Sequence, residues 1–130
     1  MARVLVIDDH EDSREVMAAM LASAGHQTML AADGDEALAV LKRERVDLAL
    51  VDIFLPVRDG IEVIRDIRRD FPGVKIVAVS AGWGPLAQPS RELRCDLQVL
   101  KRARDVGAEG ALPKPLSKDA LLTLVEGLTG

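Results

Sequence analysis

The chain of 130 residues holds one cysteine, no tyrosine, two phenylalanines and one tryptophan. A lone Cys95 cannot form an internal disulfide, and it leaves a cysteine-rich metal site without ligands; a reducing, cytoplasmic compartment is the expectation. With only Phe54, Phe71 and Trp83 as rings, the core must be built from Val, Leu, Ile, Ala and Met. No apolar run approaches the roughly 20 residues of a membrane-spanning helix. The opening "ARVLVIDD" lacks the layout of a signal peptide. Positive charge is not in excess either. Seventeen basic residues against 21 acidic ones leave a net charge of −4, which argues against direct binding to nucleic acid or to an anionic membrane. The basic residues of "RELRCDLQVLKRAR" are interrupted by acidic ones and read as a solvated helix face.

What is present is an ordinary globular balance, 48% hydrophobic and 29% charged, in a length suited to one domain with a single core. Short apolar runs alternate with amphipathic ones. Arg3–Ile7, Gln27–Ala31, Leu48–Val51 and Lys75–Val79 read as strands, with a shorter fifth at Gly110–Pro113. Three of the first four are continuously apolar, as in a parallel sheet covered on both faces. The first helical stripe places Val16, Met17, Met20, Leu21 and Ala24 together and stops at Gly25. The second covers residues 35–42, with Ala37, Leu38 and Leu41 inward. The third spans 60–70, showing Ile61, Ile64 and Ile67 or Val63, and Pro72-Gly73 ends it. A fourth aligns Leu93, Leu97, Leu100 and Ala103. The last follows Ser117, an N-cap, and carries Leu121, Leu122, Val125 and Leu128. Such alternation implies an α/β domain, a doubly wound five-stranded parallel sheet with helices on both faces and right-handed crossovers. "SAGWGPLAQPSRE" (80–92) is too long for a routine strand-to-helix loop and marks an extended segment before the fourth helix.

In a doubly wound sheet, sites form beyond the carboxyl ends of the strands. The first strand ends in Asp8-Asp9, the third in Asp52, the fourth at Ser80 and the fifth at Lys114. Asp52 interrupts an otherwise apolar run, "DLALVDIFLP", and a carboxylate there is costly unless it is paired or used. Three converging carboxylates demand a cation or raised pKa values. Oxygen ligands suit a hard divalent ion such as Mg²⁺, whereas a soft metal would find only Cys95, His10 and His26. A metal and a lysine beside a carboxylate form a site for a transferring phosphoryl group, with the carboxylate as nucleophile. Taken singly, the residues have plainer readings. Asp8 or Asp9 can cap the first helix, Asp52 can be a structural partner of Lys114, and Ser80 can be a strand-end hydroxyl. Asp59-Gly60 reads as a turn, and His10 and His26 read as surface or loop residues.

"VLVIDD", "VDIFLPVRDG", "VSA" and "LPKP", in that order, resemble the receiver domain of two-component response regulators over essentially the whole chain. The resemblance implies a flavodoxin-like strand order 2-1-3-4-5 and one receiver domain over residues 1–130, with no output domain and an inserted loop at 81–92. It implies that Asp52 accepts a phosphoryl group from a histidine kinase or histidine phosphotransfer protein. Asp8, Asp9, Asp52 and the backbone carbonyl of Phe54 would hold Mg²⁺, while Ser80 and Lys114 would contact phosphoryl oxygens. The chain would then signal by binding an unidentified downstream protein, as a monomer or weak homodimer. It would be no enzyme beyond its own phosphoryl transfer and slow autodephosphorylation.

Three features depart from that family pattern. Receivers usually carry an aromatic residue three positions before the lysine; here it is Ala111, and a methyl group cannot act as a rotameric switch. Phe54 follows the acceptor by two residues and is expected either to hinder in-line water or simply to pack against the loop. The segment from Ser80 to Lys114 is longer than usual by about a dozen residues and carries Trp83, which suits a partner anchor or a cover for the core. A phosphorylation-independent pseudo-receiver is the alternative. A phosphatase with an aspartyl nucleophile would want a second Asp where Phe54 stands.

Overall fold

The computed structural model describes residues 2–53, 55, 59–80, 101–113 and 117–129. Along the chain run β1 (Arg3–Ile7), α1 (Glu11–Ser23), β2 (Gln27–Ala31), α2 (Gly34–Arg43), β3 (Leu48–Asp52), α3 (Gly60–Asp70) and β4 (Lys75–Ser80). A helical stretch over 101–105 (α4) follows, then β5 (Gly110–Pro113) and α5 (Lys118–Thr129). The strands form one five-stranded sheet in the order β2-β1-β3-β4-β5, and every pairing is parallel. The expected order and fold class are those observed.

The pleat divides the core in two. Leu5, Ile7, Ala49, Val51, Ile76 and Ala78 face one way, against Ala37, Val40 and Leu41 of α2, Val63, Ile64 and Ile67 of α3, and Ala103 of α4. Val4, Val6, Leu48, Leu50, Val77 and Val79 face the other way, against Met17 and Leu21 of α1 and Leu121 and Val125 of α5. Successive side chains of a strand point to opposite faces, so strands covered on both sides must be apolar throughout. That accounts for the uninterrupted runs in β1, β3 and β4. All five residues of β3 are buried, and each aliphatic side chain so buried contributes about 1.5–3 kcal/mol.

Boundaries agree with the sequence pattern closely, and the differences are informative. β3 and β4 each run one residue further than expected, which makes Asp52 and Ser80 their last residues. Gly25 ends α1 as anticipated. Its φ is +87°, its N–H donates to the Ala22 carbonyl at 3.0 Å, and the His26 N–H reaches the Leu21 carbonyl at 3.1 Å, a Schellman closure that favours glycine. Val16 does not join the buried stripe; it is 53% exposed. In the third helix Val63 is buried, whereas Ile61 is partly covered. His26, expected at the surface, is buried. Its Nδ1 accepts the Ala2 N–H at 3.0 Å. The extended segment at 81–92, with Trp83, and Leu93, Leu97 and Leu100 of the fourth helical pattern lie outside the described residues.

Candidate functional site

The site builds from two strand ends. Asp8 lies one residue past β1 and Asp52 closes β3, next to it in the sheet. The Asp8 N–H continues the ladder to the Ala31 carbonyl at 3.1 Å, and the Ile53 N–H continues it to Val79 at 3.0 Å. Both carboxylates stand two residues beyond side chains of the α1–α5 face, Val6 and Leu50, so the period of two brings them to the same side. Asp8 is fully buried and Asp52 nearly so.

Local bonds hold the loop after β1 in shape. Asp8 Oδ1 accepts the His10 N–H at 2.9 Å, an Asx-type turn. The Arg14 guanidinium, one turn into α1, donates to the Asp8 carbonyl at 2.8 Å. The N-cap of α1 is His10, and its side chain makes no capping bond. Neither Asp8 nor Asp9 is the N-cap, so capping does not account for the acidic pair.

Asp8, Asp9, His10 and Asp52 each bring one ligand atom into a group whose members all lie within 4.8 Å of one another. Asp9 Oδ1 is buried and has no hydrogen-bond partner among the described residues; His10 Nδ1 stands 3.2 Å from it, within ion-pair reach. A buried carboxylate oxygen without a donor costs free energy that a cation relieves. Three carboxylates brought together suit a hard, oxygen-seeking divalent ion. The residues present fit such an ion.

A glycine packs against the backbone at the end of β3. Asp59 caps α3, accepting the Ile61 N–H at 2.8 Å, and this seats Gly60 against the turn after β3. The Gly60 N–H donates to the Ile53 carbonyl at 2.8 Å. A Cβ on Gly60 would lie 2.4 Å from the Asp52 carbonyl oxygen and 2.5 Å from Ile53 Cα. Gly60 therefore packs against the backbone at the end of β3, a role that the Asp-Gly turn reading missed. Arg14 and the His10 ring were missed as well. The Asp59-Gly60 pair was the one visible signal, because a glycine at the first position of a helix implies close approach.

Of the residues singled out from the sequence, Asp8, Asp9 and Asp52 come together as expected. Ser80 ends β4 opposite Pro113, which brings its backbone to the same edge of the sheet; its side chain, with Phe54 and Lys114, lies outside the described residues. Ala111 is described, on β5 opposite Ala78. It lines an open groove of about 550 Å³ with Gly110, Leu124, Gly127 and Leu128.

A flavodoxin-like parallel sheet with an acidic cluster at its carboxyl edge defines a class of α/β proteins with a cation site beside a buried carboxylate. The comparisons narrow it. The response regulator receiver domain profile matches residues 4–126, and the chain belongs to that family. It is 31% identical over 124 residues to a response regulator receiver protein of Anaeromyxobacter sp. strain Fw109-5, covering 95% of this chain and 47% of that one. The chain spans about half the length of the first curated relatives it matches. The receiver domain of NtrX from Brucella abortus superposes with a TM-score of 0.84 at 28% identity, covering 97% of each chain. The response regulator TrrA of Thermotoga maritima, in complex with Mg²⁺ and BeF, superposes with a TM-score of 0.78 at 28% identity, over 98% of this chain and 99% of that one. Receivers hold Mg²⁺ in an acidic pocket, and this chain has the aspartate cluster for one. Among the described residues no helix is long and apolar enough to cross a membrane.

Proposed function

We propose that this chain is a phosphoacceptor receiver, taking a phosphoryl group on Asp52 from the phosphohistidine of a histidine kinase or phosphotransfer protein. The observation that carries the reading is the buried Asp52 carboxylate at the end of the central strand, within 4.8 Å of ligand oxygens from Asp8 and Asp9. An Asp52 oxygen attacks phosphorus as the bond from phosphorus to the donor imidazole nitrogen breaks, which leaves an aspartyl phosphate. Asp8, Asp9, Asp52 and the Phe54 backbone carbonyl are assigned to Mg²⁺. When bound, that ion neutralises charge on the transferring group. The Ser80 hydroxyl and the Lys114 ammonium are assigned to phosphoryl oxygens. Gly60 and the Arg14 bond keep the two loops in register, so that little reorganisation accompanies transfer.

The chain acts as a cytoplasmic signalling protein, catalysing only its own phosphoryl transfer and slow autodephosphorylation. It passes its signal by protein–protein contact as a monomer or weak homodimer. Phosphorylation biases a two-state surface, and Ala111 makes that surface atypical. Intact-mass measurement after incubation with Mg²⁺ and acetyl phosphate tests the reading. One phosphoryl adduct on the wild type and none on Asp52→Asn is expected; an equal adduct on both, or none on either, sinks it. One observation favours a second reading, a phosphorylation-independent binding module: the open groove at Ala111, where receivers usually place a ring. That reading predicts partner affinity indifferent to Mg²⁺ plus beryllofluoride.

A further inference from the structure

We propose that His10 is a fourth side-chain ligand of the metal site, so that the site takes a first-row transition ion such as Mn²⁺ in preference to Mg²⁺. The inference rests on the metal site assigned to Asp8, Asp9 and Asp52 and concerns a residue outside that set.

The ring stands where it does because the backbone is held on both sides. The His10 N–H donates to Asp8 Oδ1 at 2.9 Å, and the His10 carbonyl accepts the Arg14 N–H at 2.9 Å. An N-cap side chain ordinarily turns back onto the first helical N–H groups, but this one makes no such bond. Its Nδ1 instead lies 3.2 Å from Asp9 Oδ1 and 3.6 Å from Asp8 Oδ1. Metal–ligand bonds of about 2.1 Å in an octahedral shell place neighbouring ligands roughly 3 Å apart, close to both spacings. Asp9 Oδ1 is buried and, among the described residues, receives no hydrogen bond, and it and a His10 ring nitrogen belong to one group of potential ligand atoms all within 4.8 Å of one another. The His10 side chain is 72% exposed, which leaves room for coordinated water.

Donor chemistry then sets the preference. Mg²⁺ takes oxygen and gains little from an imidazole. Later divalent ions accept nitrogen readily, with affinity rising from Mn²⁺ towards Ni²⁺ and Cu²⁺. An imidazole added to three carboxylates raises affinity for Mn²⁺ and leaves Mg²⁺ where it was. A ring that only offsets acidic charge predicts the opposite pattern, because removing it would tighten both ions alike.

The test uses tag-free wild type, His10→Ala and Asp9→Asn, with Mn²⁺ followed by EPR of the free ion and Mg²⁺ by its competition. His10→Ala is expected to weaken Mn²⁺ binding at least about tenfold, since losing even an outer-shell partner of a ligand costs about 10–100-fold, and to leave Mg²⁺ within about twofold. Pulsed EPR of the Mn²⁺-loaded wild type should show an imidazole ¹⁴N coupling that His10→Ala removes. Unchanged or tighter Mn²⁺ binding in His10→Ala, or a ¹⁴N coupling that survives there, overturns the proposal. Should Mg²⁺ bind the wild type and fail with Asp9→Asn while His10→Ala has no effect on Mn²⁺, His10 alone falls. Should neither ion bind the wild type, the metal-site reading falls with it.

Discussion

Replacing Gly60 by alanine isolates its contact with the backbone at the end of β3. At the first position of α3, alanine ought to help, since glycine in a helix costs about 0.5–1 kcal/mol relative to alanine. The surroundings reverse the sign. The new Cβ would meet the Asp52 carbonyl oxygen at 2.4 Å, Ile53 Cα at 2.5 Å and the Ile53 carbonyl oxygen at 2.7 Å. All three are backbone atoms, so no side chain can swing aside. Ordinary contact requires the Asp52–Ile53 backbone to retreat by about 1 Å, which strains the Gly60-to-Ile53 hydrogen bond. Overpacking of this kind costs about 1–3 kcal/mol, and loss of the hydrogen bond adds about 1 kcal/mol. Against the helical gain, a net loss of about 1–3.5 kcal/mol is expected, read from urea unfolding followed by far-UV circular dichroism. Gly127→Ala is the control. It lies within α5 with nothing among the described residues within 4 Å of the added Cβ and should gain about 0.5–1 kcal/mol. The functional consequence is separable. A shift of about 1 Å at an aligned nucleophile can cost about a hundredfold in rate, so folded Gly60→Ala should label far more slowly with acetyl phosphate. A Gly60→Ala protein as stable as wild type, labelling at the wild-type rate, would refute the reasoning.

Two further perturbations test the frame around the site. Glu109 joins three elements: its Oε2 accepts the Ile76 N–H at 2.6 Å, and its Oε1 meets Arg68, which also donates to the Gly107 carbonyl at 2.7 Å. Glu109→Ala leaves the Ile76 N–H of β4 short of its side-chain acceptor and should lower unfolding free energy by about 1–3 kcal/mol, with Glu109→Gln recovering part of it. On α1, Val16→Lys should fall within about 0.5 kcal/mol of wild type because the side chain is exposed. Leu21→Ala, four positions beyond the buried Met17 and itself fully buried, should cost about 2–5 kcal/mol; chemical denaturation of both variants measures the contrast.

That contrast also marks how far the sequence could be read. Apolar residues recur along α1 at 16, 17, 20, 21 and 24, and hydropathy alone treats them as one stripe. A helix turns about 100° per residue, so Val16 lies a quarter-turn or more from Met17 and Leu21, and the width of the groove in the sheet decides whether it is covered. The strands were legible for the opposite reason. β3 is buried on both faces, so no choice of face arises and the uninterrupted apolar run is itself the evidence. β2, at the sheet edge, alternates less cleanly, and Leu30 is left exposed. His26 was misplaced because its partner, the Ala2 N–H, is 24 residues away, beyond any local pattern.

By itself the sequence determined the alternation of strand and helix, the parallel sheet, and the placing of Asp8, Asp9 and Asp52 at strand ends. These follow from periodicity and from where apolar runs stop, which are properties of neighbouring residues. Only the tertiary structure decided that a glycine at the start of α3 presses on the backbone of Asp52 and Ile53, that Arg14 reaches back to Asp8, and that the His10 ring turns towards the acidic pair rather than capping its helix. Each depends on how crossover connections bring one strand's end against another element's beginning. Those distances are set by packing across the sheet, and no local spacing along the chain encodes them.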